Sequence, residues 1–211
     1  EDSLQRLGTD YIDLYQTHWQ SPEPANDPIA DTMACLLQLK EQGKIRAIGA
    51  SNADVSQIKE YQAGGVLDAI QPRYSMLDRA IEDELLPFCR EQQISTLVYS
   101  PLEQGLLTGA ITMDRTFSPG EYRNNIPWFA PGNRRKVLDM LAGWHHLTDK
   151  YRCNLAQLVI AWTVAQPGVT FALCGARKPE HSRMNAAGGT LVLAAEDIRT
   201  MRHDVEALGD P

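Results

Sequence analysis

Short apolar segments alternate with amphipathic helical segments along most of this chain of 211 residues. The predicted strands are residues 11–19 (YIDLYQTHW), Ile45–Ala50, Val66–Gln71, Ser95–Ser100 and Val169–Cys174. Each strand is separated from the next by at least one segment with helical periodicity. Apolar strands of about 4–8 residues that alternate with helices indicate a parallel sheet whose outer side is covered by helices.

Two kinds of fold satisfy this order: a doubly wound sheet and a (β/α)₈ barrel. A dinucleotide-binding doubly wound sheet is expected to carry G-x-G-x-x-G after its first strand, and the sequence has no such motif. A barrel instead predicts functional side chains at the C-terminal end of each strand. Polar groups do follow the predicted strands: His18-Trp19, Ser51-Asn52, Gln71, Tyr99-Ser100 and Gly175-Ala176-Arg177. This order of polar groups favours the barrel. If all these strand ends open onto one mouth, they line a single pocket.

Local signals mark helix starts and one long connection. Asp27 followed by Pro28 predicts an N-cap and a proline at the first helical position, after a proline-rich link at 21–28. Asn154 predicts another N-cap. The segment from about 102 to 132 is rich in Gly, Pro and Asn, and connections of this length in compact domains usually have a function.

Composition argues against several classes of partner. The formal net charge is -7 and the basic residues are scattered, so we expect no nucleic acid. No run approaches the roughly 20 apolar residues of a membrane helix, so we expect no membrane partner. The cysteines lie far apart without the spacing of a zinc site, which predicts reduced thiols, no metal and a cytoplasmic location. They are Cys35, Cys89, Cys153 and Cys174.

Five motifs, in order, resemble the aldo-keto reductase family. They are RLGTDYIDLYQTHW, EQGKIRAIGASN, IQPRYSML, LVYSPLEQGLLTG and GARKPEHSRMN, and together they span nearly the whole chain. The resemblance implies a (β/α)₈ barrel that binds NADP(H) without a Rossmann motif. The five predicted strands then correspond to the fourth through eighth of the barrel. Residues 1–211 would form a single domain, the C-terminal part of that barrel.

The resemblance also implies roles for residues near the nicotinamide. His18 matches the family's active-site histidine, which donates to the substrate carbonyl and orients it. Ser51, Asn52 and Gln71 match the residues that hold the nicotinamide carboxamide, and Tyr99 matches the aromatic residue that stacks on its ring. Without the family pattern, a lone histidine is typical of a structural hydrogen bond, and Ser51 or Asn52 is typical of a helix cap.

Other matches imply contacts with the rest of the coenzyme. Ser100, Leu102, Gln104 and Gly105 match the loop that follows the pyrophosphate. Gly175 ends the last strand, and Arg177 and Lys178 match the region around the adenosine 2′-phosphate, which favours NADPH. Asn185 matches the adenine-contacting asparagine. His181 stands where arginine or glutamine is usual, and Met184 where an acidic residue is frequent, so NADH is a possible coenzyme too.

The resemblance predicts reduction of aldehyde or ketone carbonyls to alcohols, with a small-molecule carbonyl substrate. In the family, a tyrosine proton donor, a lysine and an aspartate complete the site. All three lie on strands before the one that ends in His18 and have no counterparts here, so this chain alone is not expected to turn over. We expect an N-terminal portion to precede Glu1. The alternatives are a nucleotide-binding module, similar to the β subunits of potassium channels, or a half-barrel that dimerises through its open edges.

Overall fold

The computed structural model describes residues 1–21 and 27–211. Its strands are β1 (Ile12–Thr17), β2 (Ile45–Ser51), β3 (Ala69–Gln71), β4 (Ser95–Tyr99) and β5 (Phe171–Leu173). Its α-helices are α1 (Asp2–Leu7), α2 (Ile29–Glu41), α3 (Val55–Gly64), α4 (Leu85–Glu91), α5 (Pro131–Gly143), α6 (His145–Tyr151), α7 (Leu155–Val164), α8 (Pro179–Gly189) and α9 (Ala195–Glu206). Short 3-10 helices cover Ala80–Glu82, Glu103–Thr108, Tyr122–Asn125 and Pro127–Phe129. Strands and helices therefore alternate as the sequence predicts.

The strands form one sheet in the order β1-β2-β3-β4-β5, and β1 to β4 pair in parallel. Thr17 pairs with Ala50, and Ser51 pairs with Gln71, so the C-terminal ends of the first three strands lie side by side. The predicted parallel sheet is confirmed. This register brings together the ends that carry the candidate site.

The chain divides into two compact units. The first contains Glu1–Pro72 and Ala80–Leu97, and the second contains Arg73–Arg79 and Val98–Pro211. The boundary between the units falls within β4, after Leu97.

The core of the first unit lies between the sheet and its helices. Ile48 and Ile70 are fully buried in one cluster with Met33 of α2 and Ile58 of α3, and Tyr15 packs against that cluster. Because side chains in a strand alternate between faces, this pattern assigns the helices to one face of the sheet. Ser51 and Gln71 directly follow Ala50 and Ile70 of this cluster in their strands, so their side chains point to the opposite face.

In the second unit the most buried helix is α7. Leu158, Val159 and Trp162 are fully buried, and the Trp162 indole donates to the carbonyl of Ile198 at 3.2 Å. Asn154 caps this helix, as predicted, by accepting a hydrogen bond from the backbone N–H of Gln157 at 3.0 Å. The burial of the whole helix explains why its sequence is almost entirely apolar.

Several predicted boundaries are wrong. The helix after the proline-rich link begins at Ile29 with Pro28 as its N-cap, so Asp27 is not the cap, and residues 22–26 of that link lie outside the described residues. Neither Ser51 nor Asn52 caps the next helix. Asp54 does so, because its carboxylate accepts the Gln57 backbone N–H at 2.9 Å.

Four predicted strands are longer than the observed ones. β1 covers only Ile12–Thr17 of the predicted 11–19, and β4 ends at Tyr99 and not at Ser100. β3 begins at Ala69 and not at Val66, whose side chain is 66% exposed. β5 covers only Phe171–Leu173 of the predicted Val169–Cys174, and both of its end residues are exposed. Within the described residues, no helix is both long and apolar enough to cross a membrane.

Candidate active site

Hydrogen bonds join the ends of the first three strands. The Asn52 side-chain amide donates to the backbone carbonyl of His18 at 3.0 Å and to the Ser51 hydroxyl oxygen at 3.1 Å. The Ser51 hydroxyl donates to the carbonyl of Gln71 at 2.8 Å, and the Asn52 N–H donates to the same carbonyl at 3.2 Å. The structure therefore brings together His18, Ser51, Asn52 and Gln71, through the backbone carbonyls of His18 and Gln71.

The side chains at this junction differ in accessibility. Ser51 is only 3% exposed, and Asn52 and Gln71 are half-buried, whereas His18 is exposed. The ring of Trp19 lies beside that imidazole, with 6.1 Å between the ring centroids. A buried hydroxyl and two half-buried amides can orient a polar ligand, and the exposed imidazole can meet a second molecule.

Sequence reasoning missed Gln16, which lies two residues before His18. Gln16 pairs with Gly49 of β2, where an added Cβ would lie 2.7 Å from the Gln16 Cγ, so the glycine makes room for this side chain. Among the described residues, its buried Oε1 has no hydrogen-bond partner. A glycine opposite a glutamine within an apolar strand is the sequence feature that could have identified Gln16.

Tyr99 ends β4 in the second unit and opens the next group of candidate residues. Its ring is half-buried, and burial raises the pKa of its phenol despite the nearby charge of Arg73. Its backbone carbonyl accepts the N–H of Tyr74 at 3.1 Å. A neutral phenol ring is suited to stacking on a planar ligand.

The loop after Tyr99 has an unusual backbone. Ser100, Glu103, Gln104 and Gly105 have φ angles of 62°, 44°, 51° and 94°, and three of these four are not glycine. The Gln104 amide donates to the Ser100 hydroxyl at 3.1 Å, and the Gly105 N–H donates to the Leu102 carbonyl at 2.9 Å. Turns that mix right-handed and left-handed residues direct backbone N–H groups into concavities that bind anions.

Sequence reasoning also missed Glu103, whose side chain is fully buried in this loop. Its carboxylate accepts hydrogen bonds from Arg73 at 2.5 Å and from the Ser75 hydroxyl at 2.7 Å. Burial raises the pKa of Glu103, although the Ser75 hydrogen bond and the Arg73 charge oppose this shift. No local pattern could have identified the pair, because the partners are far apart in the sequence.

The third group follows β5. Gly175, Arg177 and Lys178 are exposed. Asn185 of α8 donates to the Gly175 carbonyl at 3.4 Å, and the His181 N–H donates to the Lys178 carbonyl at 3.0 Å at the start of that helix. The structure thus brings these five residues together at one strand-to-helix turn.

Asn185 also lines a cavity of about 480 Å³ together with Thr170, Phe171 and Cys174. Burial raises the pKa of the Cys174 thiol to about 11, so this cavity holds a neutral thiol at physiological pH. Within the residues that the structure describes, no three His, Cys, Asp or Glu side chains are grouped to hold a metal ion.

Comparisons with known proteins agree on one family. The family model described as "Aldo/keto reductase family" matches residues 1–205. The chain is 52% identical over 206 residues to the NADH-specific methylglyoxal reductase of Escherichia coli (strain K12), which covers 98% of this chain and 63% of that protein.

Solved structures give the same result. The glycerol dehydrogenase AKR11B4 from Gluconobacter oxydans matches with a TM-score of 0.89 and 32% identity, over 98% of this chain and 62% of that one. An aldo/keto reductase from Klebsiella pneumoniae in complex with NADP and acetate matches with a TM-score of 0.72 and 27% identity, over 100% and 63%. The chain thus spans less than two thirds of the length of these relatives. It belongs to the aldo/keto reductase family.

Proposed function

We propose that this chain carries the coenzyme-binding and carbonyl-orienting part of a reductase that converts aldehydes or ketones to alcohols. The observation that carries the proposal is the hydrogen-bonded junction of three parallel strand ends, formed by Asn52 with His18 and by Ser51 with Gln71. A junction on rigid strands positions donors better than a loop does. The proposed activity is that of the complete gene product.

The fold proposed for the complete protein is a (β/α)₈ barrel, to which residues 1–211 contribute five units as one domain. The sequential strand order β1-β2-β3-β4-β5 supports it, since neighbouring strands of such a barrel follow one another in the chain. The TM-score of 0.89 with the Gluconobacter structure supports it too. Functional side chains at the C-terminal strand ends are what this fold leads us to expect.

His18 is the proposed catalytic residue. The nicotinamide coenzyme, when bound, supplies the hydride that reduces the carbonyl carbon. The exposed imidazole of His18 would donate a hydrogen bond to the carbonyl oxygen, where negative charge grows. The bond from Asn52 to the His18 carbonyl fixes the backbone from which the ring projects.

The other candidate residues would hold the coenzyme. Ser51, Asn52 and Gln71 offer hydroxyl and amide groups suited to a carboxamide, which needs both donors and acceptors. Tyr99 would stack on the nicotinamide ring. The loop formed by Ser100, Leu102, Gln104 and Gly105 would bind the pyrophosphate, and its left-handed residues support that role.

We propose NADPH as the coenzyme, with NADH as the second candidate. Arg177 and Lys178 are exposed cations beside Gly175, and a guanidinium suits phosphate oxygens. His181 and Asn185, at the start and in the middle of α8, would contact the adenosine. The Klebsiella structure holds NADP, whereas the name of the E. coli relative specifies NADH, so both coenzymes have support.

The test is His18→Ala in the complete gene product. Losing one donor to the developing oxyanion should lower kcat by about 100- to 1,000-fold, while the Kd for coenzyme stays within about twofold. Steady-state kinetics with an aldehyde panel and fluorescence titration with coenzyme measure the two quantities. His203→Ala, an exposed histidine on α9, is the matched control and should change neither.

Two results would contradict the proposal. Equal losses in kcat and coenzyme affinity would assign His18 to binding instead of catalysis. Tight coenzyme binding by the unmodified protein without turnover of any aldehyde or ketone would favour the nucleotide-binding module.

A further inference from the structure

Glu103 lies inside the loop proposed for the pyrophosphate, yet its own side chain cannot reach a ligand because it is fully buried. Its two carboxylate oxygens are occupied by Arg73 and by the Ser75 hydroxyl. Both partners come from Arg73–Arg79, a segment of the same unit. The carboxylate therefore connects this segment to the loop.

The partners of Glu103 are themselves held in place. The Arg73 guanidinium forms a second ion pair with Asp78 at 2.8 Å and donates to the Tyr122 hydroxyl at 3.4 Å. Ser75 and Asp78 exchange two backbone hydrogen bonds of 3.1 Å. The charges of Glu103 and Asp78 raise the pKa of Arg73 above its usual value against the opposing effect of burial, so this cation keeps its charge.

The loop conformation needs such support. Glu103 and Gln104 have φ angles of 44° and 51°, a region that side chains other than Gly and Asn rarely occupy. A buried carboxylate is unfavourable unless it is paired and hydrogen-bonded. The ion pair with Arg73 offsets the cost of the left-handed backbone and the cost of burying the carboxylate. It does so only while the loop keeps this conformation.

The charge of Glu103 also matters for an anionic ligand. An unpaired carboxylate within a phosphate-binding loop would repel the phosphates, since like charges a few ångströms apart destabilise each other. Arg73 pairs with this carboxylate, so the loop can approach an anionic ligand without carrying an unpaired negative charge.

We propose that Glu103, fixed by Arg73 and Ser75, is a positioning residue that holds the Ser100–Gly105 loop in the conformation that binds the coenzyme pyrophosphate. This inference rests on the proposed function. It adds a residue pair that acts through the loop backbone and does not touch the coenzyme.

The test is Glu103→Gln in the complete gene product, because glutamine keeps the shape and loses the charge. The Kd for coenzyme should rise about tenfold, and the Kd for ADP-ribose, which has the pyrophosphate but no nicotinamide, should rise by the same factor. The kcat at saturating coenzyme should stay within about twofold, which a general loss of folding would not allow. Glu206→Gln, a half-exposed carboxylate near Arg79 and Arg202, is the matched control and should leave all three values unchanged.

A double-mutant cycle tests the pairing. Arg73→Met should also weaken coenzyme binding, and the double variant should lose no more than the worse single variant, since the two residues act as one unit. If Glu103→Gln does not fold, Ser75→Ala replaces it, with a threefold rise in coenzyme Kd expected.

The proposal is overturned if a folded Glu103→Gln binds both ligands as the unmodified protein does, if it loses kcat alone, or if the two single effects add. If the unmodified protein binds neither NADPH nor NADH, the proposed function fails first, and that result is visible before any variant is made.

Discussion

Asp54 caps the helix α3 and also makes the stability of the protein depend on pH. The Ser56 hydroxyl donates to its carboxylate at 2.6 Å and the Gln57 N–H at 2.9 Å, and these two bonds lower the pKa of Asp54. A carboxylate with a lowered folded-state pKa stabilises the protein above its unfolded pKa of about 3.9, and this contribution disappears as pH falls through the folded-state pKa.

Asp54→Ala should therefore lower the free energy of unfolding by about 1 kcal/mol at neutral pH, the usual value of an N-cap. The difference from the unmodified protein should shrink as the pH falls below about 4. Urea unfolding at several pH values measures it. Asp54→Asn keeps an accepting oxygen without a titrating group, so its cap should persist in acid. An Asn variant that is no more stable than the Ala variant below about pH 4 would refute the assignment.

For single residues, the sequence identified the polar side chains at strand ends but not their hydrogen-bond partners. It predicted that Ser51 or Asn52 would cap a helix or meet a ligand. The cap is wrong, because Asp54 caps that helix, whereas the contact with a ligand stays a prediction. The structure adds a partner for Asn52, whose amide donates to the His18 carbonyl. Glu103 was not predicted at all, because its pairing with Arg73 depends on tertiary structure and has no local signature.

The contact between α7 and α8 depends on one glycine. A Cβ added at Gly188 would lie 2.9 Å from the Gln157 Cα and 3.1 Å from the Gln157 carbonyl oxygen. Both are backbone atoms, so the helices must separate to admit a methyl group. The neighbouring Gly189 would meet nothing within 4 Å.

This pair of glycines gives a matched test. Gly188→Ala should lower the free energy of unfolding by about 1–3 kcal/mol through overpacking. Gly189→Ala, at the end of the same helix, should be neutral or stabilising by up to about 1 kcal/mol, since alanine favours the helix. Denaturant unfolding measures the free energy of unfolding of the two variants. Equal effects would mean that α8 moves away from α7 without a loss of stability.

Elements were predicted better at their centres than at their ends. Apolar alternation located every strand, but β3 starts later than expected because Asp68 turns its side chain to the Ile48 N–H at 2.8 Å. A polar side chain that replaces a backbone partner is not visible in a hydrophobicity pattern. β5 is also shorter than predicted, and its end residues Phe171 and Leu173 are exposed although both are large and apolar.

For the whole molecule, the order of strands and helices was predictable because each element depends mainly on its own residues. The parallel sheet followed from that order, and the register of β1, β2 and β3 agrees with it. Closure into a barrel depends on pairings beyond the five described strands, so it stays a prediction. The 52% identity with the E. coli reductase supports the family and leaves the coenzyme open.

Coenzyme choice is best measured through the stability of the whole protein. A ligand at about 100 times its Kd raises the free energy of unfolding by about 2.7 kcal/mol, and a tenfold weaker affinity at the same concentration reduces this to about 1.4 kcal/mol. If Arg177 contacts a 2′-phosphate, Arg177→Ala should show that reduction with NADPH and no change with NADH, which lacks the phosphate.

Unfolding of the complete gene product at fixed coenzyme concentration measures these shifts. Arg183→Ala, an exposed arginine on α8, is the matched control and should retain the full stabilisation by both coenzymes. A similar loss with NADH would mean that Arg177 contacts a part shared by both coenzymes. Stabilisation of the unmodified protein by NADH alone would instead assign this chain the coenzyme named for its E. coli relative, because no 2′-phosphate contact would then be needed.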